Sequence, residues 1–179
     1  SKYDTVPFWV LVDYMYFSDI VNFYENLKVK DQNEISRYFS NNLNSEYQDF
    51  KSNIFITPEQ LASYSNNVRQ IRNVAAHDGF LFGARTYGKI KFNPVLHVYF
   101  RVANSDIGQT LYDAYISMFV FLDYNHFVAL HNGIRKNLRN LERKVSEDIF
   151  SKTILEMGFP LDFHKSSSLT TRKTNKADK

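Results

Sequence analysis

This sequence reads as an all-α bundle. Its 16 Phe and 12 Tyr stand against 6 Gly and 4 Pro, which suits a core of large side chains carried on long elements with few breaks. Apolar residues recur at intervals of three and four along several stretches, the period of a helix face. Helix boundaries are also visible: Thr57-Pro58-Glu59-Gln60 sets out a capping hydroxyl, a first-turn proline and a reciprocal amide, and Gly158 with Pro160 supplies a stop. With 179 residues and 44% hydrophobic content, one globular unit over 1–164 is expected rather than two. Residues 165–179 hold Ser, Thr and five Lys/Arg without periodicity, and are expected to form a basic disordered tail.

In chain order, Pro7 opens a helix whose apolar positions are Phe8, Leu11, Val12, Met15 and Tyr16, and a second short helix starts at Ser18-Asp19 and carries Tyr24 and Leu27. Asp31, three residues before Glu34, caps a helix over 33–39 that ends at Ser40-Asn41-Asn42. From Thr57 the next helix places Leu61, Tyr64, Val68, Ile71 and Ala75 on one side and runs to about His77, before Gly79. Between Gly79 and Ser105 the aromatic-rich run Val95–Val102 fits a short helix or an extended loop equally. Ser105 or Asp106 caps a helix through Leu111, Tyr115, Met118, Phe119 and Leu122; another begins near Tyr124, with a weak point at Gly133. Ser146-Glu147-Asp148 starts the last one.

Several function classes lose their support at this level. No cysteine is present, so there is no disulfide framework and no thiolate metal site, in keeping with a reducing compartment; a cytoplasmic location is the expectation. Ser1–Pro7 lacks a basic segment, apolar stretch and cleavage site in sequence, so no signal peptide is read there. The most apolar window, Met118–Leu122, is bracketed by Asp113 and Asp123 and falls far short of the roughly 20 apolar residues of a membrane span. His126 and His131 are five apart and His97 stands among Val and Tyr, so no zinc-type histidine pair arises. No phosphate-binding Gly-rich loop appears. The net charge of +3 is too small to argue for nucleic acid by itself.

The chemistry-bearing cluster is Arg72-Asn73-Val74-Ala75-Ala76-His77. A permanent cation, an amide and an imidazole near one helix end suit phosphodiester cleavage, in which a proton is exchanged near neutral pH and extra negative charge on phosphorus is steadied. At 100° per residue Asn73 and His77 share a face, whereas Arg72 lies about 140° from His77. Arg69 is therefore the better aligned cation on a regular helix, at i, i+4, i+8 with Asn73 and His77. Spacing alone is weakly specific: with 9 Arg and 5 His in 179 residues, about 0.25 pairs arise by chance at any one spacing. A helix-capping histidine beside a surface arginine accounts for it equally.

Three segments together carry more. Arg72–His77 resembles the Arg-Asn-x-x-x-His form of the HEPN ribonuclease motif, and Pro7-Phe8-Trp9-Val10-Leu11-Val12-Asp13-Tyr14 and Met157-Gly158-Phe159-Pro160 resemble the Abi-type branch of bacterial abortive-infection proteins, AbiD/AbiF-like. The resemblance implies a HEPN-like helical bundle and a metal-independent endoribonuclease without cofactors that leaves a cyclic phosphate. It also implies a role in phage defence or a toxin–antitoxin system, with RNA as substrate, a cognate antitoxin as partner, protein or structured RNA, and a homodimer that pairs two Arg/His sets. On that pattern His77 is the general acid/base, Arg72 contacts the phosphate and Asn73 orients both. A non-catalytic HEPN-type module that binds RNA or protein is the alternative. Relatives often follow the histidine with a second histidine and a basic-aromatic stretch, whereas Asp78-Gly79-Phe80-Leu81-Phe82 stands here. Relatives also carry a helical region ahead of the first segment; only six residues precede it here, so a chain lacking that region is expected.

For RNA binding, Arg135, Arg139 and Arg143 form an i, i+4, i+8 basic stripe, with Lys136 and Lys144 beside it. A solvated helix face reads the same way. Arg85, Lys89 and Lys91 make a second basic group soon after the motif, and Lys165, Arg172, Lys173 and Lys176 charge the tail.

Overall fold

The computed structural model describes residues 8–47, 52–77 and 79–172, apart from the side chains of Phe8 and Trp9. Pro7, Asp78, Lys173 and Lys176, which the sequence reading singles out, lie outside these. The described residues form eight α-helices and two 3-10 turns, with no strand among them: α1 Phe8–Val12, α2 Phe17–Glu25, α3 Val29–Glu46, α4 Pro58–Ala76, α5 Pro94–Tyr99, α6 Leu111–Phe121, α7 Tyr124–Glu142 and α8 Glu147–Glu156. The all-α bundle is as the sequence implies. Helix α4 is its centre, packed on α6, α2 and α3.

Local chemistry explains most boundaries. The Thr57 hydroxyl accepts the Gln60 N–H (3.2 Å) while the Gln60 carboxamide accepts the Thr57 N–H (3.0 Å), so α4 starts where its capping signature says. Leu61, Tyr64 and Ile71 are buried from its apolar stripe, Val68 is half-buried and Ala75 is exposed. The Val95–Val102 run resolves into the short helix α5, capped by the Asn93 side chain accepting the Leu96 N–H (3.1 Å).

Several expectations are corrected. Asp31 does not cap α3, which starts two residues earlier at Val29 with Lys28 as its N-cap. Helix α3 does not end at Ser40-Asn41-Asn42 but continues to Glu46. Ser36 and Ser40 donate back to the Gln32 and Ser36 carbonyls (2.7 and 2.8 Å), satisfying hydroxyls that otherwise compete with the helix. The same polar residues clamp the next segment: Ser40 Oγ accepts the Ile56 N–H (2.9 Å), and Asn44 both accepts the Ile54 N–H and donates to its carbonyl (each 2.8 Å). Helix α6 starts after Thr110, because the Asp113 carboxylate gathers the N–H groups of Gly108 (3.2 Å) and Thr110 (2.7 Å), while Ser105 and Asp106 sit in the 3-10 turn Asn104–Asp106. Gly133 does not break α7, which runs through it to Glu142; it sits on an exposed face with nothing near its missing side chain.

Phe100, Tyr115, Phe119 and Phe127 knit α5, α6 and α7 together through ring contacts, including Phe119–Phe127 at 4.8 Å and Phe100–Phe119 at 5.1 Å, both edge-on. Tyr112, Phe159 and Phe163 extend this cluster toward the C-terminus. At Gly158 φ is +79° and an added Cβ would meet Thr110 Oγ1 at 2.2 Å, so glycine both turns the chain after α8 and lets it reach the start of α6.

The expectation of a disordered tail from Lys165 fails for residues 165–172, which lie along α7 as a strap. After a 3-10 turn at Phe163–Lys165, Asn132 donates to the Leu169 carbonyl (2.8 Å) and accepts its N–H (3.1 Å); Asn125 does the same with Arg172 (3.1 and 2.9 Å). Leu169 packs on the core, and the Arg172 guanidinium lies 4.0 Å above the Tyr124 ring while donating to the Glu46 carbonyl. The composition of this stretch offers no core-forming side chain but Leu169; what orders it is the pair of asparagines far upstream.

Candidate functional site

The last turn of α4 is built by backbone geometry. His77 is the C-cap residue, its N–H donated to the Asn73 carbonyl (3.2 Å), and the Gly79 N–H reaches back to the Val74 carbonyl (2.8 Å). That six-residue closure lets the chain leave the helix tightly. It also dictates the glycine, because a Cβ at residue 79 would sit 2.7 Å from the Val74 oxygen.

On this turn Arg72 and His77 are exposed and Asn73 is half-buried. The Arg72 guanidinium folds along the helix and donates to the Asn73 side-chain oxygen at 3.3 Å. This brings the arginine from its own direction toward the face that Asn73 shares with His77, as its length allows. The contact is long and solvent-exposed, so it orients the side chain weakly. The His77 imidazole has no hydrogen-bond partner among the described residues. Arg69, the regularly aligned cation, is half-buried, and its Nε is enclosed without a partner among the described residues.

The segment after the motif returns along α4. Asn67 donates to the Thr86 hydroxyl (3.1 Å), Gln70 donates to the Tyr87 carbonyl (3.3 Å) and accepts its N–H, and Tyr64 and Ser63 hold the two backbone groups of Lys91. These polar residues of α4 thus fix residues 86–91 beside the motif helix. Arg85 is exposed, but its guanidinium donates to the Glu156 carbonyl (2.7 Å) at the end of α8; Lys89 and Lys91 are exposed.

Sequence reasoning passed over the aromatics here. Phe80 and Tyr87 are 78% and 90% exposed, and Phe80 meets Phe82 at 5.3 Å between ring centres. Free aromatic faces beside cations suit stacking with unpaired bases. The signal was available: three aromatics stand among the glycines of residues 79–88 without any helical period to bury them. Leu81 and Phe82 also border an apolar groove of about 550 Å³ whose walls come from Ile71, Met118, Ile134 and Leu141.

The stripe on α7 is not continuous in the folded chain. Arg135 is only 6% exposed. Arg139 is exposed and its Nε donates to the His164 carbonyl (2.7 Å), while Lys136 and Arg143 are exposed, Arg143 as the C-cap of α7. Arg135 is therefore covered, and Arg139, though exposed, is tied to the C-terminal segment.

Two of the remaining histidines, His97 and His131, are structural in their surroundings. His97 is fully buried and accepts the Asn93 N–H (3.0 Å), and burial pulls its imidazole below the ordinary range. His131 takes the Tyr115 hydroxyl on Nδ1 (2.8 Å) and donates from Nε2 to the Ser167 carbonyl (3.3 Å); burial likewise lowers it. No cluster of three or more His, Asp and Glu that could hold a metal ion occurs among the described residues. No helix among them is long and apolar enough to cross a membrane.

Residues 1–83 match the family model described as Abi-like protein. That span takes in α1 to α4 and the whole Arg72–His77 turn, and it supports an Abi-type relationship for the chain. No curated protein and no solved structure matches it.

Proposed function

Proceeding from the Abi-type match, we propose that the chain is a HEPN-type, metal-independent endoribonuclease of a phage-defence system, an abortive-infection or toxin–antitoxin component. The observation that carries this is the exposed end of α4, where Arg72 is drawn onto Asn73 on the face of the capping residue His77. An RNA strand laid there meets the Arg72 fork with its phosphate and Phe80 or Tyr87 with its bases. The 2′-hydroxyl attacks the adjacent phosphorus and loses its proton, the bond to the 5′-oxygen breaks, and that oxygen gains a proton. The products are a 2′,3′-cyclic phosphate and a 5′-hydroxyl. His77 handles one of the two proton transfers, Arg72 steadies the charge on the equatorial oxygens, and Asn73 holds Arg72.

A homodimer fits this chemistry, because two proton transfers on opposite sides of phosphorus call for two imidazoles and each chain offers one at this turn. A cognate antitoxin, protein or RNA, is the partner that would keep such an enzyme silent.

One observation favours a second reading, a binding module without cleavage. The His77 imidazole lacks an orienting partner among the described residues, and catalytic histidines are commonly held by one. Two variants separate the readings. Under the catalytic reading His77→Ala lowers single-turnover cleavage by about 10²–10⁴-fold, and Arg72→Lys, which keeps charge but loses the planar fork, lowers it by about 10²-fold. Both keep their affinity for 2′-O-methyl RNA, which has no nucleophile, within a few-fold. Binding by all three proteins with cleavage by none would establish the module.

A further inference from the structure

Arg135 is a covered cation without a counter-charge. Its residue surface is 6% exposed, its Nε has no hydrogen-bond partner, and none of the ion pairs among the described residues includes it. The cover can be identified. Four residues before it, His131 donates to the Ser167 carbonyl; four residues after it, Arg139 donates to the His164 carbonyl. Positions 131, 135 and 139 follow one line of α7 over about 12 Å, and the chain from 164 to 167, a 3-10 step followed by extended residues, spans about 9 Å. Lys165 and Ser166 therefore join the two carbonyl contacts that flank Arg135. They accept nothing from it, although the carbonyls on either side are taken by its neighbours.

Packing alone does not account for this residue. A methionine or leucine would fill the same space without enclosing the Nε–H, and a buried donor with no partner opposes folding. Burial and the neighbouring Arg139 both press its proton affinity down. The cover adds positive charge of its own through Lys165, while Arg172 is held at the far end of α7 by Tyr124 and Glu46 and the Glu142 carboxylate meets His164. What would meet Arg135, Arg139 and Lys165 together is a chain of negative charges.

The strap is held in a manner that permits exchange. Asn125 and Asn132 grip only backbone groups, residues 167, 168, 170, 171 and 172 are exposed, and Leu169 is half-buried. Nothing in it contributes a fully buried side chain.

We propose that Arg135 and Arg139 form a second phosphate-binding site for single-stranded RNA, closed by the strap 165–172 and opened when the strap leaves α7. The ligand assignment rests on the RNA reading above, though not on cleavage. Opening restores the run Arg135, Arg139, Arg143 along α7, and RNA bound there competes with the strap.

The test uses the full chain and a labelled 2′-O-methyl oligouridine, which binds but cannot be cut, so its result is independent of His77 activity. In Asn125→Ala/Asn132→Ala, amide exchange at residues 166–172 should quicken and binding tighten about tenfold, with the salt dependence steeper by about one phosphate contact or more. Adding Arg135→Gln should abolish that gain, whereas adding Lys152→Ala, which removes an exposed cation on α8, should leave it within twofold. Faster strap exchange with unchanged affinity, a gain that survives Arg135→Gln, or strap exchange that stays slow without the two asparagines each overturns the proposal. So does inorganic pyrophosphate matching the oligonucleotide's effect on strap exchange in the wild type at equal phosphate concentration, since the site would then take small anions.

Discussion

Arg72 and His77 are both exposed, and what joins them is the half-buried Asn73 between them. Angular spacing along a regular helix sets Arg72 away from His77 and prefers Arg69; the fold encloses Arg69 Nε and turns Arg72 back instead. Helical arithmetic cannot foresee this, because the direction of a long side chain is decided by what covers its neighbours. The turn that presents these residues depends on Gly79. Gly79→Ala is expected to destabilise the protein by about 1–3 kcal/mol, since its Cβ would meet the Val74 carbonyl; urea unfolding monitored by circular dichroism measures it. Sequence spacing marks Gly79 as the end of α4, but only the structure shows that its lack of a side chain admits the backbone.

Helix starts were legible where a single local signature decides them, as at Thr57-Pro58-Glu59-Gln60. They were misplaced where side chains choose distant partners. Ser40-Asn41-Asn42 read as the end of α3 because serine and asparagine favour loops, yet the helix continues, and Ser40 and Asn44 find their partners in Ile56 and Ile54, in a segment that local reasoning cannot see. The strap failed for the same reason: Asn125 and Asn132 are unremarked positions on α7 until Leu169 and Arg172 arrive. Gly133 shows the opposite error, a nominal weak point inside an unbroken helix. With open space at its missing side chain, Gly133→Ala should stabilise the protein by about 0.5–1 kcal/mol, seen as a higher urea midpoint with unchanged slope.

Across the whole molecule, two buried histidines tie stability to pH. Burial lowers His97 and His131 below the ordinary imidazole value of about 6.5, so the unfolded chain binds more protons than the folded one once the pH falls under that value. Stability should therefore be level between about pH 7 and 9 and decline as the pH drops from about 6.5 through the two folded values; urea midpoints at pH 7.5, 6.5 and 5.5 check the direction. The all-α architecture was legible from composition and period alone, because few breakers and many large apolar residues leave a helical bundle as the simplest core. The proposed function rests on three segments that together resemble Abi-type proteins, and the chemistry proposed at the end of α4 decides it. The deciding measurement is incubation of the purified chain with a mixed RNA pool in EDTA, beside His77→Ala, with analysis of product ends. Cleavage by the wild type alone, leaving 2′,3′-cyclic phosphates, is the predicted result; equal cleavage by both proteins, or none by either while both remain folded, contradicts it.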